Sequence, residues 1–418
     1  MVLLLIGTTL FQYLAAIRIS RAKESAAKKF WLALALLVSL GALIYFKYSG
    51  FLVDSLAKLF RIETAFSGPV LPIGISFYTF QILTYTIDVY YGRVPEQKNP
   101  FRLLLYVSCF PQLIAGPIVK YADIAEALDG RTVSKRDFAF GIRRFLVGLS
   151  KKVLLANICG KALSACMEGT GISVLGAWFT ALLYALQLYF DFSAYSDMAI
   201  GLGRVLGFSY RENFRYPYIS LSASEFWRRW HISLSTWLRD YLYIPLGGNR
   251  KGKHRTYLNL FLVMFFGGLW HGASWTFVAW GSFHGLLLLA ERAVGIGTAP
   301  IKNVAVRLLR QSYTLVAVMV AWVFFRSDDM SSAWNYLKSL VGIGADPTDC
   351  TLIRTMMNDP YHIIMWSLAV VCALLAPSAW SWTRTSTTGK WVLLFALFIL
   401  SIWAMTSQSY NPFIYFIF

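Results

Sequence analysis

Residues 256 to 290 read TYLNLFLVMFFGGLWHGASWTFVAWGSFHGLLLLA, an apolar run of 35 residues. A single membrane crossing needs about 20 residues. The run is too long for one crossing, and Gly267, Gly268 and Gly272 give it a place to bend. In its middle stands His271, within Phe265-Phe-Gly-Gly-Leu-Trp-His271-Gly-Ala-Ser-Trp275. An ionisable group at that depth is costly and normally faces a cavity or a partner. Two readings stand: a neutral histidine hydrogen-bonded between helices, or a group that moves a proton, for which imidazole is the side chain best suited near neutral pH.

The rest of the chain agrees with a membrane setting. Of 418 residues 57% are hydrophobic and 14% are charged, against about 25% charged in soluble domains. That excludes a soluble globular enzyme, a disordered chain and a coiled coil. Apolar runs recur at about 1–17, 30–47, 66–91, 101–119, 137–160, 172–208, 256–290, 307–325, 361–379 and 391–418. An all-α polytopic membrane protein with 9 to 12 membrane helices, some short or re-entrant, is expected. With no repeat and no linker, residues 1–418 form one membrane-embedded domain. Residues 1–17 lack a basic n-region and a small-residue cleavage site and so read as a span or part of one.

The net charge of +18 comes from basic clusters between apolar runs, such as Arg18 to Lys29, Arg131 to Lys152 and Arg250 to Arg255. This is the positive-inside pattern of cytoplasmic loops against anionic lipid, not a nucleic-acid footprint. The five cysteines (Cys109, Cys159, Cys166, Cys350, Cys372) form no CxxC pair and read as small buried hydrophobes. Neither HExxH nor GxSxG nor a phosphate-binding loop occurs, so no metal site is expected.

The stretch 209–255 is too polar to cross. Ser222-Ala-Ser-Glu225 fits a capping box that opens a helix running through Trp227, Trp230, His231, Leu234 and Leu238 on one face. That helix stops near Tyr243, because Pro245 and Gly247-Gly248 follow. Its Trp and Arg content suits the membrane interface or a re-entrant position. His284 is expected against a backbone carbonyl in a packed helix, His254 in solvent and His362 at the interface. Asp191 and Asp197 lie in another apolar run, and either pair with Lys or Arg from elsewhere or line a polar cavity.

Taken in order, several stretches resemble the membrane-bound O-acyltransferase family, in the bacterial branch that includes alginate O-acetyltransferase. They are Leu71-Pro-Ile-Gly-Ile-Ser-Phe-Tyr-Thr-Phe-Gln81, Phe110-Pro-Gln-Leu-Ile-Ala-Gly-Pro117, Asp191-Phe-Ser-Ala-Tyr-Ser-Asp197, Asn213-Phe-Arg-Tyr-Pro-Tyr218, Glu225-Phe-Trp-Arg-Arg-Trp-His231, Tyr241-Leu-Tyr-Ile-Pro-Leu-Gly-Gly-Asn-Arg250, Gly268-Leu-Trp-His-Gly272 and the closing Pro412-Phe-Ile-Tyr-Phe. The resemblance covers about residues 12 to 418. The chain is expected to start late, short of a first helix or two of the family.

The resemblance implies a ring of tilted and re-entrant helices around a central funnel. It implies that His271 is the essential buried histidine and His231 the second polar position of the site. Donor or acceptor binding is expected of Asp191, Asp197, Arg228, Arg239, Asn249, Arg250 and Trp270, which lie in or beside these stretches. The implied reaction is acyl transfer from acetyl-CoA or another thioester, with no bound cofactor, toward hydroxyls of a polysaccharide outside the bacterial cytoplasmic membrane. Implied partners are membrane lipid, the polysaccharide and an extracytoplasmic acetyltransferase, and no nucleic acid. D-alanyl transfer to a teichoic acid-like polymer, a polysaccharide-linked channel or transporter, and a scaffold for a glycan synthase stand as alternatives.

Overall fold

The computed structural model describes residues 2–168, 171–297, 301–349 and 351–407. Cys350 and the Pro412 stretch lie outside them. The described elements are helical, as the hydropathy pattern requires. They fall into two compact units, Met1–Gly141 with Leu202–Arg211, and Ile142–Gly201 with Glu212–Phe418.

The first unit opens with α1 (Val2–Arg21) and α2 (Ser25–Leu43), the latter running through a π-helical turn (Ile44–Tyr48) into α3 (Ser49–Phe60). Next come α4 (Ile75–Tyr90), α5 (Pro100–Ser108), α6 (Phe110–Leu113), α7 (Tyr121–Asp129) and the start of α8 (Lys135–Ser150). Helix α1 packs on both α2 and α4. Gln12 fastens all three: its amide N–H donates to Ala35 O and Ser39 Oγ, both at 2.7 Å, and its carbonyl accepts from Thr86 Oγ1 at 2.5 Å. Between apolar helices such a buried amide is secure only when both its ends are satisfied.

The second unit takes α8 onward through a π-helical segment (Lys151–Ala156) into α9 (Asn157–Glu168) and then α10 (Val174–Val205). The short pair α11 (Ala223–Arg229) and α12 (Ile232–Leu238) follows, then α13 (Gly252–His271) and α14 (Trp275–Ala293). The unit continues with α15 (Val304–Arg326), α16 (Met330–Leu340), α17 (Thr351–Asn358), α18 (Pro360–Leu374), α19 (Ala379–Arg384) and α20 (Thr388–Ser407). Among the described residues five helical stretches are long and apolar enough to cross a membrane, and Pro360–Leu374 is a shorter apolar helix. The protein is a multi-pass membrane protein. The expected span at 101–119 divides at Cys109 into α5 and α6, and Pro111 lies in the first turn of the second piece.

Helices α13 and α14 form an antiparallel hairpin closed by glycine. A Cβ at Gly268 would lie 2.4 Å from Phe277 O and 2.9 Å from the Gly281 Cα. A Cβ at Gly281 would lie 2.5 Å from Met264 O. Two backbones this close admit no side chain between them, which is the small-residue packing of membrane helices.

The structure corrects one element. The single helix expected from Ser222 to Tyr243 is broken at Trp230–His231, and His231 adopts a left-handed conformation with φ 43°. The cap is present: Ser222 Oγ accepts from Glu225 N at 3.1 Å, and the Glu225 carboxylate reaches back one residue beyond the N-cap, to Leu221 N at 2.9 Å. The end at Tyr243 holds as well.

Gly281→Ala forces a methyl against the Met264 carbonyl and should cost about 1–3 kcal/mol. Gly41→Ala in α2 meets nothing within 4 Å and should be neutral or gain up to about 1 kcal/mol of helix propensity. Thermal unfolding in detergent should show a lowered Tm for the first variant alone. An unchanged Tm for Gly281→Ala would refute the close backbone contact.

Candidate active site

The break at His231 is shaped by an extended segment that precedes it. Ile232 N donates to Asn213 O at 3.0 Å, and Arg215 N to Arg229 O at 2.9 Å. The Asn213 side chain then reads the turn. Its Oδ1 accepts from Ser233 N at 3.1 Å and Ser233 Oγ at 2.9 Å, and its Nδ2 donates to Ser196 Oγ at 3.0 Å. A backbone N–H is only ever a donor, so the atom facing it is the amide oxygen. His231 Nδ1 lies 3.2 Å from that same oxygen and must therefore donate. In the neutral ring this leaves Nε2 as a bare acceptor, and Nε2 is buried without a hydrogen-bond partner among the described residues. The ring is fully enclosed, edge-on to Phe192 at 4.7 Å. Burial pushes the His231 imidazole down to about 3, so it is neutral at working pH.

His271 ends α13 and faces His231, with ring centroids 6.3 Å apart. Trp270, Trp280 and Phe325 close around His271 at centroid distances of 5.0, 5.1 and 5.2 Å. The two histidines, 40 positions apart in sequence, thus share one aromatic chamber. Helix α11 is held to α14 by Glu291, whose carboxylate accepts from Ala223 N at 2.7 Å and Ser224 N at 3.2 Å. A carboxylate on a helix N-terminus is the favoured polarity. Trp227 Nε1 adds a donation to His284 Nδ1 at 3.4 Å, so His284 binds an indole and not the expected carbonyl.

A cavity of about 650 Å³ reaches this chamber. Its lining includes the buried His271 and Trp280, the apolar Leu238, Val263, Met264 and Leu288, and the exposed Arg228, Arg239 and Arg292. It therefore runs from cationic surface to buried imidazole. A second space of about 430 Å³ shares Arg228 and adds Arg229 and Arg310.

The expected donor and acceptor residues divide. Arg228 and Arg239 line the cavity and Trp270 flanks both histidines. Asn249 and Arg250 sit in the exposed turn before α13, outside the cavity lining. Asp191 and Asp197 serve ion pairs. Lys152 Nζ meets Asp191 at 2.6 Å, while Asp197 takes Arg144 Nε at 2.9 Å and Lys151 Nζ at 2.8 Å. Arg144 also binds Glu212, the neighbour of Asn213. This buried network fixes the start of the segment that holds His231. Sequence reasoning missed Asn213 in this role, and also Trp280, Arg292 and Phe325. The one visible signal was Asn213 at the head of a matched motif.

The membrane-bound O-acyltransferase (MBOAT) family model matches residues 91–327. Over 98% of its length the chain is 40% identical to a probable alginate O-acetylase of Pseudomonas putida, covering 89% of that protein. It is 45% identical over 88% of its length to a probable alginate O-acetylase of Azotobacter vinelandii, covering 73% of it. It is 39% identical over 81% of its length to a peptidoglycan O-acetyltransferase of Helicobacter pylori, covering 70% of it.

A histidine held neutral in the fold but free to protonate when unfolded has a folded pKa below its unfolded value. Its stabilising contribution is complete above about pH 6.5 and is lost as pH falls toward 3. The slope is about 1.4 kcal/mol per pH unit within that window. Melting curves between pH 7 and 4.5 should therefore fall more steeply for the wild type than for His231→Gln. Parallel curves would contradict a neutral buried His231.

Proposed function

We propose that this chain, which belongs to the membrane-bound O-acyltransferase family and is an acyltransferase, moves an acetyl group from a thioester donor to hydroxyls of an extracytoplasmic polysaccharide. The acceptor is alginate or a similar exopolysaccharide or cell-wall glycan, and the setting is the bacterial cytoplasmic membrane. The acetylating relatives support this acceptor class. The observation that carries the reading is the cavity that joins exposed Arg228, Arg239 and Arg292 to the buried imidazole of His271.

That cavity suits a donor with a charged head and a narrow thioester arm. Arginines at its exposed part match the phosphates of acetyl-CoA by charge and by fork geometry. The apolar stretch past Leu238 and Met264 admits the arm and excludes water. At the chamber the acceptor hydroxyl oxygen attacks the thioester carbonyl carbon. The hydroxyl proton passes to His271, the C–S bond breaks, and the thiolate takes a proton as it leaves. His231 is too weak a base for the proton step, but its bare Nε2 suits it to hold an O–H in line. The attacking hydroxyl belongs to the polymer itself or to an extracytoplasmic partner protein that then passes the acyl group on to the polymer.

Radiolabelled acetyl-CoA with membranes containing the acceptor polymer tests it. His271→Ala should lose about 10² to 10⁴ of the transfer rate at unchanged Tm, and His231→Ala should also fall. Replacing Arg228, Arg239 and Arg292 together by Gln should raise the donor KM more than it lowers kcat. Full transfer by folded His271→Ala would sink the mechanism.

A further inference from the structure

Helix α18 is apolar and α20 is long and apolar enough to cross a membrane, so the chain between them, with α19, lies at a membrane face. It reads Ser378-Ala-Trp-Ser-Trp-Thr-Arg384-Thr-Ser-Thr-Thr-Gly-Lys390-Trp391, and past Asp359 the sequence holds no acid. Tryptophan with Arg and Lys between two apolar helices is the make-up of a headgroup layer. Positive charge without acid is the mark of the cytoplasmic side, where the leaflet is anionic.

This segment folds over cations from two other elements, all within the second unit. Arg143 of α8 is buried, donates through Nε to Thr383 O at 3.1 Å, and holds its guanidinium over the Trp391 ring at 5.4 Å. The exposed Arg215 and Arg384 both lie over the Trp380 ring, at 5.5 and 4.4 Å. Lys390 lies over the Trp382 ring at 4.8 Å and donates to Trp382 O at 2.6 Å. Tyr216, the neighbour of Arg215, ties the segment down by accepting from Ser378 N at 2.7 Å.

Among the described residues none of these four cations forms an ion pair with a carboxylate. The acid that Arg215 feels is Glu212, and both its oxygens are bound to Arg144. One carbonyl leaves most of the five N–H donors of Arg143 unmet, and two guanidiniums over one ring repel each other. Such a cluster calls for an anion. Directly after Trp391, α20 exposes Val392, Leu393 and Phe395. The cationic cluster thus continues into apolar surface, which fits a ligand with phosphate at one end and hydrocarbon at the other. A soluble phosphate or an acidic peptide would use only the first part.

We propose that α19 and the start of α20 form a binding site for an anionic phospholipid of the cytoplasmic leaflet. Its phosphate sits among Arg143, Arg215, Arg384 and Lys390, and its chains run along Val392, Leu393 and Phe395. Trp380 and Trp382 hold the cationic groups at headgroup depth. The site stands apart from the acyl-transfer reading, but it adjoins the candidate active site through the chain. Arg215 N donates to Arg229 O at the break that delivers His231, so a lipid on the Arg215 side chain steadies that segment.

The test is equilibrium binding to the full chain in detergent, with fluorescent phosphatidylglycerol and phosphatidylcholine of identical chains as probes. The anionic lipid should bind about tenfold more tightly, the order expected for one charged hydrogen-bonded pair. Arg215→Gln combined with Arg384→Gln should bring it down to the phosphatidylcholine level and leave phosphatidylcholine unchanged. Lys251→Gln combined with Lys253→Gln, an equal loss of exposed charge at the start of α13, should keep the full preference. Added salt should weaken phosphatidylglycerol binding to the wild type and spare phosphatidylcholine, which checks the charge without any substitution. Saturating phosphatidylglycerol should raise the Tm of the wild type but not of the Arg215/Arg384 variant. Equal binding of the two lipids or salt-insensitive binding would overturn the site. Equal losses from the two double variants would overturn it too, since they would mark a diffuse surface attraction. So would displacement of the probe by glycerol 3-phosphate or by hexaglutamate as effectively as by unlabelled phosphatidylglycerol, which would mark a soluble phosphate site or a protein-docking surface.

Discussion

The meeting of two backbones at Gly268 and Gly281 is the constraint from which the site is built. With no side chain between them, α13 and α14 approach closely enough for His271, three residues beyond Gly268, to face Trp280, the neighbour of Gly281. Helix α14 in turn holds α11 through Glu291 and through the Trp227–His284 contact. The break after α11 then delivers His231. Lengthening the glycine contact by a methyl would therefore move the reference frame of every group in the chamber. In hydrocarbon there is little hydrophobic drive for helices to associate, so close packing of this kind is what holds such a pair.

The buried charges beside the site are matched within the apolar mass. Asp191, Asp197 and Glu212 are matched by Lys152, Lys151 and Arg144. Breaking one partner from such a network strands a buried charge, which typically costs several kcal/mol. Asn213 converts that rigidity into chemistry, because the carboxylate network anchors its neighbour while its own amide sets the His231 tautomer. The atom left over, His231 Nε2, is buried with no hydrogen-bond partner among the described residues. An orphaned acceptor in an enclosed chamber is costly unless a ligand supplies the donor.

What the sequence made legible was local or compositional. The helix cap at Ser222 and the stop before Pro245 need only neighbours in the chain to be read, and both are present. A buried histidine amid glycines stood out because ionisable residues are rare at that depth. The break at His231 was hidden, since Trp227, Trp230, His231, Leu234 and Leu238 keep helical spacing straight through a left-handed residue. That break is written by Asn213, eighteen positions earlier, through hydrogen bonds that no periodicity encodes. Trp280, Arg292 and Phe325 join the site only by helix packing. Asn249 and Arg250 stand in a matched motif, on an exposed turn outside the cavity lining.

The central claim is that a donor enters along the arginine-lined cavity and presents its carbonyl to His271. A cryo-EM structure with a non-hydrolysable thioester analogue of acetyl-CoA tests it most directly. The account predicts phosphate density at Arg228, Arg239 and Arg292, with the carbonyl carbon within about 4 Å of the His271 ring, near-attack range for an acceptor between the two imidazoles. Analogue bound elsewhere, or in this cavity with its carbonyl remote from His271, would contradict it.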